Sequence, residues 1–260
     1  MPHELDSIER LLTSIGQGVG QKSLVLLDLD NTVFVTEGVL ASDGKLLASL
    51  GGDAWFSHFF QTACKDPASG DALQKTLALY KVLQSRAQFK LVEDETASVI
   101  QQMLDEPNVC VLGLTARSAD LQPETSRALQ SLGVTFSQGQ IYEVDHYHDS
   151  KKIKSKGGVI YCSGVDKGTV LEYVLSRILK PEVGDIEHVT FVDDSQKNCR
   201  SVELKLSQMM ISHSVYHYPK VSENYTDENS LTHQSFLTSL YVQSGPDASP
   251  QQSAVAGLSC

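Results

Sequence analysis

The chain has 260 residues, of which 41% are hydrophobic and 20% are charged, a composition typical of a soluble globular protein. No apolar stretch approaches the roughly 20 residues needed to span a bilayer, so membrane insertion is not expected. The formal net charge of −11 argues against broad binding of nucleic acid, because phosphate backbones are held by Lys and Arg. A small phosphorylated substrate remains compatible with this charge if a bound metal ion offsets it.

Residues 1–18 predict an amphipathic helix and not a secretory signal, because acidic residues stand where a signal would carry positive charge. Apolar residues recur there at helical spacing: Ile8, Leu11, Leu12 and Ile15. The five cysteines are scattered and form no C-x-x-C pair, which indicates neither a zinc site nor a disulfide framework. We therefore expect reduced thiols and a cytoplasmic location, with delivery to a host cell as the alternative if the chain is a bacterial effector.

Four short apolar runs, separated by segments of helical periodicity, predict a parallel sheet. The runs are residues 23–27, 109–114, 188–192 and 209–218. Residues 122–134 predict one helix, with Pro123 in its first turn and Gly133 at its end, and residues 167–179 predict another. Strands that alternate with helices favour right-handed βαβ units. The expected fold class is α/β, a Rossmann-like parallel sheet with helices on both faces.

The first two apolar runs are about 75 residues apart, far more than one crossover connection requires. Three segments in this stretch have apolar residues at i, i+3, i+4 and i+7: residues 53–65, 71–89 and 95–104. They predict a small all-helical subdomain that caps the carboxyl ends of the strands. Its aromatic residues are either helix core or contacts to substrate: Trp55, Phe56, Phe59 and Phe60.

These patterns predict the domain organisation. The expected parts are a catalytic core of residues 1–36 and 109–220, a helical cap of residues 37–108, a C-terminal extension of residues 221–242 and a tail of residues 243–260. The tail is rich in Ser, Gln, Gly, Ala and Pro and has no periodicity, which is typical of disorder.

Polar side chains follow three of the predicted strands. Asp28, Asp30, Asn31 and Thr32 follow the first, Thr115 and Arg117 the second, and Asp193, Asp194 and Ser195 the third. Lys167 begins the helix that leads into the third of these strands. Ligands of open α/β sheets bind beyond the carboxyl ends of the strands, so we expect these side chains to share one crevice.

The aspartates of this group predict a bound cation. Carboxylates a few Å apart raise one another's pKa, and a hard divalent cation relieves the repulsion. Asp28, Asp193 and the backbone carbonyl of Asp30 suit Mg²⁺, which prefers oxygen ligands and keeps some of its waters. Lys167 would offset charge on the opposite side, and Thr115 would donate a hydrogen bond to a phosphate oxygen.

Four motifs in this order resemble those of the haloacid dehalogenase superfamily of phosphohydrolases. They are "DLDNT" (28–32), "LTARS" (114–118), "DKG" (166–168) and "FVDDSQKN" (191–198). With "GGDAWF" (51–56) in the insert, they resemble more narrowly a bacterial group of unknown function, DUF2608. Some proteins similar to that group act on phosphotyrosine.

The resemblance implies an Mg²⁺-dependent phosphatase that hydrolyses a phosphate monoester through an aspartyl-phosphate. It implies these roles: Asp28 as nucleophile, Asp30 as general acid and base, Thr115, Ala116 and Lys167 as substrate ligands, and Asp28, Asp30, Asp193 and Asp194 as metal ligands. The chemistry agrees, because a carboxylate can attack phosphorus once a metal ion and a lysine have neutralised the incoming dianion.

Two alternatives to a metabolite phosphatase stay open. The substrate is either a phosphorylated small molecule or a phosphoprotein, with phosphotyrosine as the special case. A catalytically silent binding protein on the same fold is the alternative from another class, although it would need none of the residues named above. We expect no nucleic-acid partner.

Several of these residues also have a purely structural interpretation. Arg117 either faces phosphate or pairs with a surface carboxylate, Lys167 is either a ligand or a solvated helix start, and Asp193 and Asp194 could cap a helix that begins near Ser195. The glycines of residues 16–22 do not match a phosphate loop, because they precede a strand and have the wrong spacing. The histidines of residues 145–149 and 213–217 are typical of polar surface.

Overall fold

The structure, a computed structural model, describes most of the chain. The described residues are 2–16, 20–41, 43–65, 71–137, 144–148, 150–179, 186–221, 225 and 233–237. They belong to two compact units, the first formed by Met1–Val35 and Leu91–Val221, the second by Thr36–Lys90 and Ser222–Cys260. The predicted tail, residues 243–260, lies outside the described residues.

Strands and helices alternate along most of the described chain. The strands are β1 His3–Glu4, β2 Ser23–Leu27, β3 Phe34–Leu40, β4 Leu46–Ala48, β5 Ala87–Leu91, β6 Val109–Thr115, β7 Val144–His148, β8 Lys151–Lys156, β9 Val159–Tyr161, β10 His188–Asp193 and β11 Ser212–His217. The helices are α1 Arg10–Gly16, α2 Asp53–Lys65, α3 Ala72–Gln84, α4 Thr96–Leu104, α5 Gln122–Ser131, α6 Lys167–Tyr173 and α7 Gln196–Gln208. A 3₁₀ turn (Ala119–Leu121) precedes α5, and a π-helical segment (Val174–Leu179) continues α6.

A mostly parallel sheet forms the centre of the first unit. Its strand order is β1-β11-β10-β2-β6-β9-β8-β7, and the strands from β1 to β9 in this order run parallel. The four predicted strands are all present, which confirms the predicted α/β class. The last one begins later than predicted, because the C-cap of α7, Met209, and the turn at Met210, whose φ is 56°, take up the first residues of that apolar run.

The antiparallel edge of this sheet was not predicted from the sequence. Strands β8 and β7 pair antiparallel to β9 and to each other. In β8 lysines alternate with the buried Ile153 and Ser155. The strand therefore has only one apolar residue and no apolar run that would predict it. The histidines of residues 145–149 belong to this edge strand as far as they are described.

Both faces of the central sheet are covered. Leu24, Leu26 and Phe191 pack in one buried cluster with residues of α6 and α7, whereas Val25 and Leu27, which point to the opposite face, are also fully buried. Three cysteines of this cluster are buried: Cys110, Cys162 and Cys199. Burial raises the pKa of the first thiol to about 11 and of the other two to about 12, so they stay protonated.

The second unit combines two helices with a three-stranded sheet, so the prediction of an all-helical insertion is wrong. The strand order is β4-β3-β5, and β3 and β4 form an antiparallel hairpin. The turn between these two strands contains Asp43 and Gly44, and the φ of 82° at Gly44 suits an Asp-Gly turn, which is a hairpin signal in the sequence. The predicted helix of residues 71–89 ends at Gln84, because the chain continues as β5 with an alternating pattern. The helix predicted at residues 95–104 forms as α4 but belongs to the first unit.

Aromatic stacking organises the second unit. Trp55 is 1% exposed, and its ring lies 5.1 Å from that of Phe59 and 6.4 Å from that of Tyr80. Phe56 meets Tyr80 edge to face at 5.2 Å. Trp55 is therefore a core residue, which is the first of the two interpretations of these aromatic residues, whereas Phe56 and Phe59 are only half-buried.

In the described part of the chain, no helix has the length and apolarity needed to cross a membrane.

Gly168 allows α6 and α7 to approach closely. A Cβ at this position would lie 2.6 Å from the Ser201 hydroxyl oxygen and 2.7 Å from the Ser201 backbone oxygen. The second atom is backbone and cannot rotate away. The glycine of "DKG" therefore sets the distance between the helix that begins at Lys167 and its neighbour.

We expect Gly168→Ala to destabilise the protein by about 1–3 kcal/mol, because the added methyl group forces the two helices apart. Urea unfolding followed by circular dichroism measures the loss. Gly113→Ala is the matched control, since the three atoms nearest to its Cβ would be side-chain atoms of Leu29, Phe136 and Val159 at 3.2–3.3 Å. Equal losses in the two variants would contradict the role given to Gly168.

Candidate active site

The register of the central strands places the predicted aspartates side by side. Val192 of β10 is paired with Leu27 of β2, so the next residues, Asp193 and Asp28, lie at the same level of the sheet. The backbone N–H of Asp28 donates to Val192 O at 2.9 Å and extends this pairing. Parallel strands in register thus bring together two carboxylates that are far apart in the chain.

Lys167 is buried between these two carboxylates. Its Nζ atom lies 2.5 Å from Asp28 Oδ1 and 2.6 Å from Asp193 Oδ2, and its side chain is 2% exposed. Asp166 caps the helix, accepting from the N–H of Thr169 at 2.9 Å and from Ser201 Oγ at 2.6 Å, which fixes where Lys167 leaves the backbone. The structure therefore excludes a solvated helix start for Lys167.

Asp193 is held by α7 as well as by Lys167. Asn198 Nδ2 lies 3.1 Å from both oxygens of the Asp193 carboxylate, and the N–H of Ser195 donates to Asp193 Oδ1 at 2.8 Å. The N-cap of α7 is Ser195, so Asp193 supports the helix start without capping it. Sequence reasoning gave Asn198 no role, although its place in the first turn of a helix that follows Asp193 was a usable signal.

Asp194 lies beside the pair and completes a group of three carboxylates. Oxygen atoms of Asp28, Asp193 and Asp194 all lie within 4.8 Å of one another. The backbone of Asp194 is fixed on both sides, because its N–H donates to Thr32 Oγ1 at 3.2 Å and its carbonyl oxygen lies 2.9 Å from His217 Nε2.

Asp30 lies in a tight turn after β2 and makes an ion pair with Arg117. In this turn Asn31 has a φ of 60°, and its N–H donates to Phe34 O at 2.8 Å. Arg117 Nε lies 2.8 Å from Asp30 Oδ2, and Arg117 Nη2 lies 2.7 Å from Asp30 Oδ1. Of the two interpretations of Arg117, the structure therefore shows pairing with a carboxylate, but one that belongs to the site and not to the outer surface.

Thr115 and Ala116 lie in the loop that leads from β6 to Arg117. Thr115 is fully buried at the end of its strand, and its hydroxyl oxygen accepts the N–H of Arg117 at 3.1 Å. Ala116 is exposed, and its carbonyl oxygen accepts the N–H of Gly164 at 3.0 Å. Their predicted role in substrate binding stays a prediction.

Comparison with known proteins identifies the family. The family described as "Protein of unknown function (DUF2608)" matches residues 4–238. The chain belongs to the DUF2608 family. This match confirms the narrower of the two resemblances seen in the sequence. No curated protein matches this DUF2608 chain.

Two solved structures are similar to this DUF2608 protein at low identity. The HAD domain of effector protein Lem4 from Legionella pneumophila is 14% identical, with a TM-score of 0.39 over 84% of this chain and 94% of that one. A class C acid phosphatase from Bacillus anthracis with tungstate bound is 11% identical, with a TM-score of 0.37 over 95% of this chain and 83% of that one.

The residues present fit a hard divalent cation. The cluster of Asp28, Asp193 and Asp194 offers only oxygen atoms, which are the ligands that Mg²⁺ prefers. Lys167 neutralises part of the negative charge but leaves an excess, because the carboxylate of Asp194 adds to the two that Lys167 bridges. A cation at this cluster would complete the charge balance.

The pKa values of the site reflect burial together with this excess of negative charge. Burial raises the pKa of Asp28 well above its usual range, Lys167 opposes this effect, and the charges of Asp193, Asp194 and Asp30 add to it. Burial and the charge of Asp193 raise the pKa of Asp194 to about 6. Burial by itself would lower the pKa of Lys167, but the carboxylates of Asp193 and Asp28 raise it above its usual value. Lys167 therefore stays charged.

The raised pKa of Asp194 predicts a pH-dependent effect of Asp194→Asn. Without metal, the ionised Asp194 side chain is less favourable in the folded than in the unfolded state. The native protein therefore loses free energy of unfolding as the pH rises through about 6 and this side chain ionises. In EDTA, we expect the melting temperature of Asp194→Asn to rise relative to that of the native protein between about pH 4 and about pH 7.

Addition of Mg²⁺ provides the control for this prediction. A bound cation favours the ionised carboxylate, so the native protein should gain more thermal stability from Mg²⁺ than Asp194→Asn does. Differential scanning fluorimetry across the same pH range measures both effects. A melting-temperature difference that does not change with pH would rule out the raised pKa of Asp194.

Proposed function

We propose that this protein is an Mg²⁺-dependent phosphatase that hydrolyses a phosphate monoester through an aspartyl-phosphate on Asp28. The observation that carries the proposal is the buried Lys167 ammonium between Asp28 and Asp193, with the third carboxylate of the cluster within 4.8 Å. A binding protein would not need a buried cation and three crowded carboxylates, whose desolvation is costly. Phosphoryl transfer uses such a set.

Mg²⁺ would be held by the carboxylates of Asp28, Asp193 and Asp194 and by the backbone carbonyl of Asp30. When bound, it would neutralise the phosphoryl oxygens and keep Asp28 ionised at a position where burial raises the pKa of that carboxyl. Lys167 supplies a fixed positive charge on the other side of Asp28, and its raised pKa means that it does not exchange protons during the reaction.

The chain's own residues account for the two displacements. In the first, an oxygen of Asp28 attacks phosphorus while the bond to the leaving oxygen breaks, and Asp30 gives its proton to that oxygen. In the second, Asp30 takes a proton from water as the water attacks phosphorus, which releases phosphate and restores the Asp28 carboxylate. Thr115 would donate its hydroxyl hydrogen to a phosphoryl oxygen, since that hydroxyl already accepts from Arg117 N–H.

We expect the native protein to hydrolyse 4-nitrophenyl phosphate in Mg²⁺ and to lose this activity in EDTA. Asp28→Asn should lower kcat by about 10³-fold or more, because the amide is a poor nucleophile toward phosphorus. Release of 4-nitrophenolate, measured with and without metal, tests both points.

Asp105→Asn is the matched control, because Asp105 is an exposed aspartate that follows α4 and lies outside the cluster. It should retain native kcat. Full activity of Asp28→Asn would contradict the covalent mechanism, and activity that survives EDTA would contradict the need for a divalent cation.

A further inference from the structure

Arg117 and Asp30 form a planar, two-point ion pair next to the aspartate cluster. Two N–H groups of the guanidinium donate to the two oxygens of one carboxylate, at 2.7 Å and 2.8 Å. Such an arrangement fixes both the position and the rotation of the carboxylate, which a single point charge cannot do. Asp30 therefore cannot turn about its side-chain bonds without breaking at least one of the two bonds.

The Arg117 side chain is itself held from several directions. Its Nη1 atom donates to Thr125 Oγ1 at 3.3 Å, and its guanidinium lies 5.1 Å from the centre of the Phe34 ring. Phe34 begins β3, and its carbonyl oxygen accepts the N–H of Asn31 in the turn that contains Asp30. The ion pair thus connects the turn after β2 to the start of α5, and both ends of it are supported.

The backbone that carries Arg117 is fixed by the loop that follows β9. The N–H groups of residues 162, 163 and 164 donate to the carbonyl oxygens of residues 115, 117 and 116, at 2.8, 3.0 and 3.0 Å respectively. Ser163 and Gly164 adopt positive φ values of 51° and 70°, and this turn brings their N–H groups to the loop. Every carbonyl of the Thr-Ala-Arg segment therefore has a backbone partner.

We propose that Arg117 is a positioning residue that holds the Asp30 carboxyl group for proton transfer and does not bind the phosphoryl group. This inference rests on the proposed function, in which Asp30 donates a proton to the leaving oxygen. A protonated Asp30 keeps one of its two bonds, because the oxygen without the proton still accepts from Arg117. Once the proton has left, both bonds stabilise the carboxylate without any movement.

Exposure distinguishes this role from direct phosphate binding. The side chain of Arg117 is 2% exposed, whereas that of Asp30 is 17% exposed. The carboxylate is therefore the member of the pair that solvent reaches, and the guanidinium lies behind it. A phosphate ligand would need its N–H groups on the accessible side.

Leaving groups of different basicity test the proposal. With phenyl phosphate, whose leaving oxygen requires a proton, Arg117→Met should lower kcat/KM by on the order of 10²-fold, the usual contribution of general acid catalysis. With 2,4-dinitrophenyl phosphate, whose leaving group needs no proton, the loss should be only a few-fold on the same reasoning. Arg117→Lys keeps the charge without the planar pair and should give intermediate losses with the same dependence on the leaving group.

A double-mutant comparison separates positioning from a structural role. In the Asp30→Asn background, Arg117→Met should change kcat/KM for phenyl phosphate by less than about twofold, because the group that Arg117 positions has been removed. The inhibition constant of inorganic phosphate should stay the same in all variants. Arg200→Met, an exposed arginine on α7, is the control and should behave as the native protein does.

Each outcome decides a specific question. No turnover of any aryl phosphate by the native protein would reject the proposed function, and the inference with it. The native protein could be active while Arg117→Met and Arg117→Lys lower kcat/KM equally for both leaving groups and weaken inhibition by phosphate. This result would make Arg117 a phosphate ligand; it would overturn the inference but not the proposed function. Native activity in Arg117→Lys would show that charge suffices and would also overturn it. Where melting curves show that Arg117→Met does not fold, Arg117→Lys carries the test.

Discussion

The site depends on one buried ammonium group that joins two strands and a helix. Lys167 is 2% exposed, so its positive charge is stable in that position only if carboxylates compensate for the lost hydration. Asp28 and Asp193 do so from neighbouring strands, and each would be an unpaired buried charge without Lys167. Removing any one of the three therefore affects the other two, which ties the register of β2 and β10 to the start of α6.

The charge balance of the site supports the proposed cation. The site contains four aspartate side chains, those of Asp28, Asp30, Asp193 and Asp194, and Lys167 and Arg117 pair with three of them. The formal charge that remains is −2, which one divalent cation neutralises. Burial raises the pKa values of Asp28 and Asp194, and the charges of the neighbouring aspartates add to this effect. A phosphate dianion could approach only after the excess has been removed.

Much of this organisation was predictable from the sequence, and the exceptions have physical reasons. Buried parallel strands appear as continuous apolar runs, and residues that end such strands converge, so Asp28, Lys167 and Asp193 could be assigned to one site. The antiparallel strands β7 and β8 have no such runs. In the small sheet of the second unit, β4 has only three residues and β5 follows the strongly periodic helix α3, so neither strand gives a distinct apolar run.

The pairing of Arg117 with Asp30 could not be predicted, because it depends on geometry between loops that are 87 residues apart. Sequence spacing gives the residue type but not the direction of a long side chain. The direction is set by the turn at Asn31, by Thr125 on α5 and by the backbone bonds from the loop after β9. None of these contacts leaves a periodic signal in the sequence.

The two cations of the site differ in what their chemistry allows. Lysine is a compact charge on a flexible chain, so the Lys167 ammonium can donate to two carboxylates from different strands at 2.5 and 2.6 Å. Arginine is a planar fork, so Arg117 fixes the orientation of a single carboxylate. In the proposed reaction, the nucleophile Asp28 needs nearby positive charge, whereas the proton donor Asp30 needs a defined direction. Lysine pairs with Asp28 and arginine with Asp30, which matches this difference. The two aspartates are only two residues apart in the chain, yet their environments differ.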